Sequence, residues 1–218
     1  MMWLPDPTGR FPERPFYQRD ELDRECEKIM HGFLKSRNGK VSYPIETNDL
    51  VVLLEQESSD LDVWADLSSD GPDVEGKTTF SLKGKPTVEV IAELQEPHRE
   101  NRLRTTLAHE LGHVKLHNYL YRLHAGVPSP CCTHDTIIGA SQVDWMEWQA
   151  GYCSGAFLMP LSVVRRTVRE AKKGTGFSGQ PDVATAEGQA LIQQVRIAYQ
   201  VSADAARVRL LQLGFVVE

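Results

Sequence analysis

Apolar positions recur along this chain with two different periods, and the switches between them divide it into blocks. From Phe16 to Arg37, Leu22, Cys26, Ile29, Met30 and Phe33 repeat at helical spacing, which predicts an amphipathic helix that stops near Gly39. Thr47 or Asn48 is placed to cap a second helix running through Leu54. Three short runs, Leu61 to Leu67, Thr78 to Leu82 and Thr87 to Ala92, read as strands, the last two joined through Gly84-Lys85 as a hairpin. Ser68 to Gly76, rich in Ser, Asp, Gly and Pro, reads as a mobile turn. Helical spacing returns from Pro97 to His117, where Leu103, Leu107, Leu111 and Val114 form a stripe for burial. Pro97 suits a first helical turn, Glu96 and Glu100 complement its dipole, and Asn118 is placed as a stop. Val143 to Met159, closed by Pro160, is apolar nearly all round, as in a helix buried on several sides. A further helix to about Lys173, a glycine-rich break from Gly174 to Gly179, and two helices flanking Val201-Ser202 complete the chain. The expected class is α+β, with a small antiparallel sheet packed on the Pro97–His117 helix and helices at the C-terminus. Thr87 to Ile91 is the expected open edge of that sheet, a place for an extended peptide to add as a strand.

The chemistry enters with His109-Glu110-Leu111-Gly112-His113. Residues i and i+4 share a helical face, so both imidazoles can reach one Zn²⁺ ion at about 2.0–2.1 Å. Glu110 points about 100° away around the helix, from where it can take a proton from attacking water without occupying a coordination position. A catalytic zinc site needs a third protein ligand and an open position. His117 repeats the i+4 step but lies about 12 Å along the axis from His109, too far to share the ion, so it either orients its neighbours or packs near the helix end. Lys115 and Leu116 stand where the glycine turn of a metzincin would begin, so that pattern is absent.

The third ligand is best sought between Val143 and Pro160. Glu147 is the carboxylate in that helix's apolar interior, and a buried carboxylate requires a metal or a strong cation beside it. Pairing with Arg104 or Arg165 would meet that need as well as a metal would. Ala150, Gly151 and Ser154 are small and would let this helix approach the histidine helix closely.

Together these residues carry a family resemblance. The run Arg104-Thr105-Thr106-Leu107-Ala108-His109-Glu110-Leu111-Gly112-His113, ending Leu116-His117, resembles the active-site helix of the ImmA/IrrE-type zinc metallopeptidases, and Glu147-x-x-Ala150 followed by Phe157-Leu158-Met159-Pro160 is similar to their second motif. Gly151 and Cys153 depart from the usual asparagine and aromatic residue, and Val201 to Leu210 resembles the family's closing segment. The resemblance implies a zincin-like core, His109, His113 and Glu147 as zinc ligands, and Glu110 as catalytic base. It also implies a protein substrate, namely a helix-turn-helix transcriptional repressor carried on a separate chain.

Composition adjusts this picture at the margins. The 218 residues suffice for one core with a small appendage; the expected division is a flexible segment 1–15, a metallopeptidase domain 16–173 and a helical subdomain 174–218. No apolar stretch reaches the roughly 20 residues that span a membrane, and Met1 to Arg10 lacks the apolar core of a secretory signal, so a cytoplasmic protein is expected. The last two helices have a DNA-binding rhythm, with Arg196, Arg207 and Arg209 available, but 24 Lys and Arg against 30 Asp and Glu argue against nucleic acid as the main partner. Cys131-Cys132-Thr133-His134 lacks the two-residue gap of a zinc knuckle and reads as a flexible loop. Tyr119, His124, His134 and Tyr152 are the candidate donors to a developing oxyanion. Two other readings stand beside the peptidase: a regulatory module that docks protein or DNA around a structural metal, and a metal-dependent hydrolase of a non-peptide substrate.

Overall fold

In the computed structural model, which describes residues 1–124, 131–135, 144–175 and 179–218, the chain opens with an antiparallel hairpin, β1 (Met2–Pro5) and β2 (Glu13–Phe16). This is the stretch expected as a flexible segment. Asp6 gives it structure by accepting the backbone N–H groups of Thr8 and Phe11 (2.9 and 3.0 Å), and Phe11 is buried between Tyr121 and Trp145. Helix α1 (Arg19–Asn38) follows, its first turn closed by Glu21 on the Gln18 N–H and its end by Gly39 at φ 71°, a conformation glycine adopts without a Cβ clash. Its buried stripe is Leu22, Asp23, Cys26, Met30 and Leu34. Helix α2 (Thr47–Glu57) begins one residue after Glu46 without a side-chain cap; the Thr47 hydroxyl instead donates to Glu100 (2.8 Å).

Three strands come next, β3 (Asp60–Ala65), β4 (Val74–Thr79) and β5 (Thr87–Ile91). With β6 (Cys131–Asp135) they form a sheet of order β3-β5-β4-β6, in which β3 runs parallel to β5 and the other neighbours are antiparallel. The sheet is therefore mixed rather than antiparallel, and β5 is an interior strand rather than the open edge. The reason lies in sequence order: α2 delivers β3 to the far side of β5, where it leaves β5 no free edge. The last three residues of the expected mobile turn, Val74 to Gly76, belong to β4, whose buried residues alternate at Val74, Gly76 and Thr78, a pattern obscured because two of the three are not apolar. The Cys131-Cys132 segment forms the strand β6 on β4 rather than a loop.

Two 3₁₀ turns at Ala92–Gln95 and Pro97–Arg99 lead into α3 (Glu100–Leu116), which is buried along almost its whole length and is followed by the short α4 (Asn118–Leu123). Helix α5 (Trp145–Leu158) packs along α3, and α6 (Leu161–Thr175), α7 (Ala186–Tyr199) and α8 (Ala203–Gln212) close the chain. One core joins Leu22 and Met30 of α1, Leu107 and Leu111 of α3, Phe157 of α5, and Leu191, Val195, Ala206 and Leu210 of the last two helices. Each fully buried Leu or Phe contributes about 1.5–3 kcal/mol to that core. It runs straight through the boundary expected between 173 and 174. Arg209, expected to be available to DNA, is 1% exposed and bridges α8 to Asp23 of α1 (2.5 Å). Among the described residues no helix is long and apolar enough to cross a membrane.

Candidate metal centre

Helix α3 turns His109 and His113 to the same side, with their Nε2 atoms 3.0 Å apart. The third group arrives on α5. Where the two helices cross, Gly112 faces Ala150 so tightly that a Cβ at 112 would lie 3.0 Å from the Ala150 Cα, and the Ser154 hydroxyl donates to the Thr105 carbonyl (3.0 Å). Gly151, by contrast, has open space beside it and plays no part in the crossing. The N-terminus of α5 is fixed by Asp144, which accepts the Met146 N–H (3.0 Å) and pairs with Arg10 (2.7 Å). Glu147 then falls in the first turn, with its carboxylate oxygens 3.1 Å from His109 Nε2 and 3.3 Å from His113 Nε2.

These three side chains suit one cation. In a tetrahedral site with bonds of about 2.0–2.1 Å, neighbouring ligand atoms stand roughly 3.3–3.4 Å apart, close to what is found here. The three residues are the group among the described residues that could hold a metal ion. The alternative partners of Glu147 are engaged elsewhere: Arg104 donates to the carbonyls of Gln200 and Ile45 (2.5 and 2.7 Å), and Arg165 is exposed on α6.

The electrostatics separate the two carboxylates. Burial opposes ionisation of Glu147, but the charge of His113 and hydrogen bonds from both histidines outweigh it and hold the carboxyl well below the usual range. Glu110 is fully buried, and that burial pushes its pKa up to about 7, against the smaller opposing influences of His113 and of the Thr78 hydroxyl. Thr78 Oγ1 donates to Glu110 Oε2 at 2.5 Å, while Oε1 has no hydrogen-bond partner among the described residues. A carboxylate that titrates near neutrality beside a metal site is suited to accept and return a proton. Burial likewise lowers the pKa of His109 and lowers that of His117 strongly, which favours neutral rings.

His117 does not reach the site. It stands behind His113, Nδ1 to Nδ1 at 3.0 Å, with Nε2 on Gln149 Oε1 at 3.1 Å. Of the candidate oxyanion donors, Tyr152 gives its hydroxyl to Asp23 (3.0 Å) and His124 packs on Phe11. Tyr119 lines a separate cleft with Glu57, Lys115 and Arg122, and the side chain of His134 lies outside the described ones.

Thr78, Gly76 and Gln149 were not found from sequence. Gly76 lies in the stretch that reads as a turn, and Thr78 reads as the first residue of a strand with no role at the site. Gln149 carried a signal that was available: it is a second polar residue inside an apolar helix, and a buried amide needs partners as a buried carboxylate does.

A family model described as Peptidase_M78, IrrE N-terminal-like domain, matches residues 84–211, more than half of the chain and inclusive of His109, Glu110, His113 and Glu147. No curated protein matches the chain.

Proposed function

Because the chain belongs to the Peptidase_M78 family of IrrE N-terminal-like domains, we propose that it is a zinc-dependent endopeptidase with a zincin-like core. In this reading His109, His113 and Glu147 hold the metal and Glu110 is the general base. The observation that carries the reading is the division of labour between adjacent residues. The side chains of His109, His113 and Glu147 converge at 3.0–3.3 Å, while Glu110 is turned away from them, buried and held by Thr78. A purely structural metal would need no carboxylate of near-neutral pKa beside it, which weighs against the binding module.

When bound, zinc supplies Lewis acidity, polarising a carbonyl and making water acidic enough to react near pH 7. Glu110 takes the proton of the attacking water on its Oε1, the oxygen without a protein partner, and returns it to the departing amine. Thr78 holds Oε2 so that the same oxygen serves both transfers. Apolar burial around Glu110 keeps its pKa near the middle of the range in which it must act as base and then acid.

The substrate we propose is a regulatory protein, a helix-turn-helix transcriptional repressor on a separate chain, with the encounter in the cytoplasm; this follows from the family resemblance of the two motifs. DNA is a poor candidate, since Arg209 is consumed in the core and Arg207 pairs with Glu218 (3.2 Å).

The test is intact-mass spectrometry of a repressor encoded beside this gene after incubation with the zinc-loaded protein. One new pair of fragments is expected, absent with Glu110→Gln, which keeps its metal; Glu147→Ala should lose metal affinity. A repressor that co-purifies uncut with the wild type, or is cut equally by Glu110→Gln, would reject the peptidase reading.

A further inference from the structure

A file of buried hydrogen bonds runs from the N-terminal hairpin to His113, and its direction is set at the hairpin end. The Pro15 carbonyl can only accept, so Gln149 presents its Nε2 there (3.0 Å) and turns its Oε1 to His117 Nε2 (3.1 Å). An amide oxygen also can only accept, so the proton between them belongs to His117 Nε2. A neutral imidazole has one N–H, which leaves His117 Nδ1 as a lone pair facing His113 Nδ1 at 3.0 Å. His113 therefore carries its own proton on Nδ1. When the ring is neutral, the lone pair then falls on Nε2, on the side of His109 Nε2 (3.0 Å) and Glu147 Oε1 (3.3 Å).

We infer that Gln149 and His117 are positioning residues that fix His113 in the tautomer able to bind a metal, with the Pro15 carbonyl of β2 as the fixed end of the relay. The inference rests on the proposed metal role of His113. A ligating histidine is commonly oriented by whatever accepts its other N–H, and here that acceptor is a second histidine whose own tautomer is dictated by an amide. Burial keeps water from offering a substitute partner: His113, His117 and Gln149 are each no more than 1% exposed. The hairpin grips the relay a second time, because Asp6 accepts the Trp145 indole N–H (2.9 Å) and the Trp145 ring stands edge-on to His117 at 5.6 Å. Residues 6 and 15 lie outside the matched segment 84–211, so a part of the chain not shared through that match reaches a ligand of the site.

The experiment is nitrogen NMR of ¹⁵N-histidine-labelled full-length protein, stripped of metal and held at a pH where the rings are neutral, in which the two tautomers give distinct nitrogen shifts and proton couplings. The wild type is expected to show Nε2–H at His117 and Nδ1–H at His113. In Gln149→Leu the preference at His117 is lost, His113 gains an Nε2–H population, and zinc affinity in competition with a chromogenic chelator falls by about 10–100-fold. His117→Phe, which keeps ring volume and removes the acceptor, should show the same fall. A residue that merely packed would lower the melting temperature and leave the His113 tautomer as in the wild type. An Nε2–H proton on wild-type His113, or zinc affinity unchanged in both variants, overturns the inference. A wild type with the expected tautomers that takes up no zinc instead overturns the metal reading and leaves the relay standing.

Discussion

On the proposed peptidase reading, Gly76→Ala should silence Glu110 as the base without touching a metal ligand. Gly76 sits on β4 opposite Val90 of β5, and the φ range there is one any residue adopts, so an added methyl acts through space rather than through the backbone. That methyl would lie 2.5 Å from Glu110 Oε1, 3.1 Å from its Cδ and 2.9 Å from Thr106 Cγ2. The closest approach is roughly 1 Å short of ordinary van der Waals contact, and Glu110 is the group able to yield. It can do so only by giving up its 2.5 Å hydrogen bond to Thr78 or by swinging towards the histidines. A catalytic group displaced by about 1 Å costs on the order of 10²-fold in rate, equivalent to about 2.7 kcal/mol of barrier. The assay is kcat/KM on the peptide that the wild type cleaves, alongside zinc content and thermal melting. A rate lowered by about 10²-fold with full zinc is the expected result. Wild-type turnover would refute the placement of Glu110 Oε1 as the reacting oxygen, and loss of zinc would show that Gly76 serves the ligands instead.

Three other outcomes follow from the structure. Asp23→Leu and Arg209→Met should each destabilise by about 3–5 kcal/mol, because each strands a buried charge, whereas the double variant recovers most of the loss; urea titration checks this, and additive losses would refute it. Gly112→Ala meets the Ala150 backbone at 3.0 Å, which cannot move aside, so it should cost about 1–3 kcal/mol and also weaken zinc binding by separating α3 from α5; the chelator competition and a melt measure the two effects independently. Removal of zinc by a chelator should lower the melting temperature, and restoring free zinc to about 100 times its Kd should return about 2.7 kcal/mol, read as the shift in the melt with added metal.

How legible this protein was in its sequence differs sharply between its helices and its sheet. Helical spacing displayed the core stripe of α1, the burial of α3 and α5, and the common face of His109 and His113, because those facts depend on contacts one turn apart. The need of Glu147 for a cation could be read as well, since its surroundings on α5 are apolar in sequence. The sheet was less legible. Val74, Gly76 and Thr78 form a buried face that holds no apolar run, and the parallel pairing of β3 with β5 is decided by where α2 deposits the chain.

The sequence by itself thus determined the pair of histidines and the carboxylate between them, because the spacing of one helix carries both, and the family, through the motifs of α3 and α5 together. Only the tertiary structure decided the rest. The choice between Arg104 and the histidines as neighbours of Glu147 depends on a helix crossing at Gly112 and Ala150. The elevation of the Glu110 pKa to about 7 depends on complete burial, and β4 supplies its Thr78 partner from far along the chain. The proton on His113 depends on a carbonyl in the N-terminal hairpin, reached through Gln149 and His117. Contacts between residues remote in sequence are set by packing, which has no period to be read from the chain.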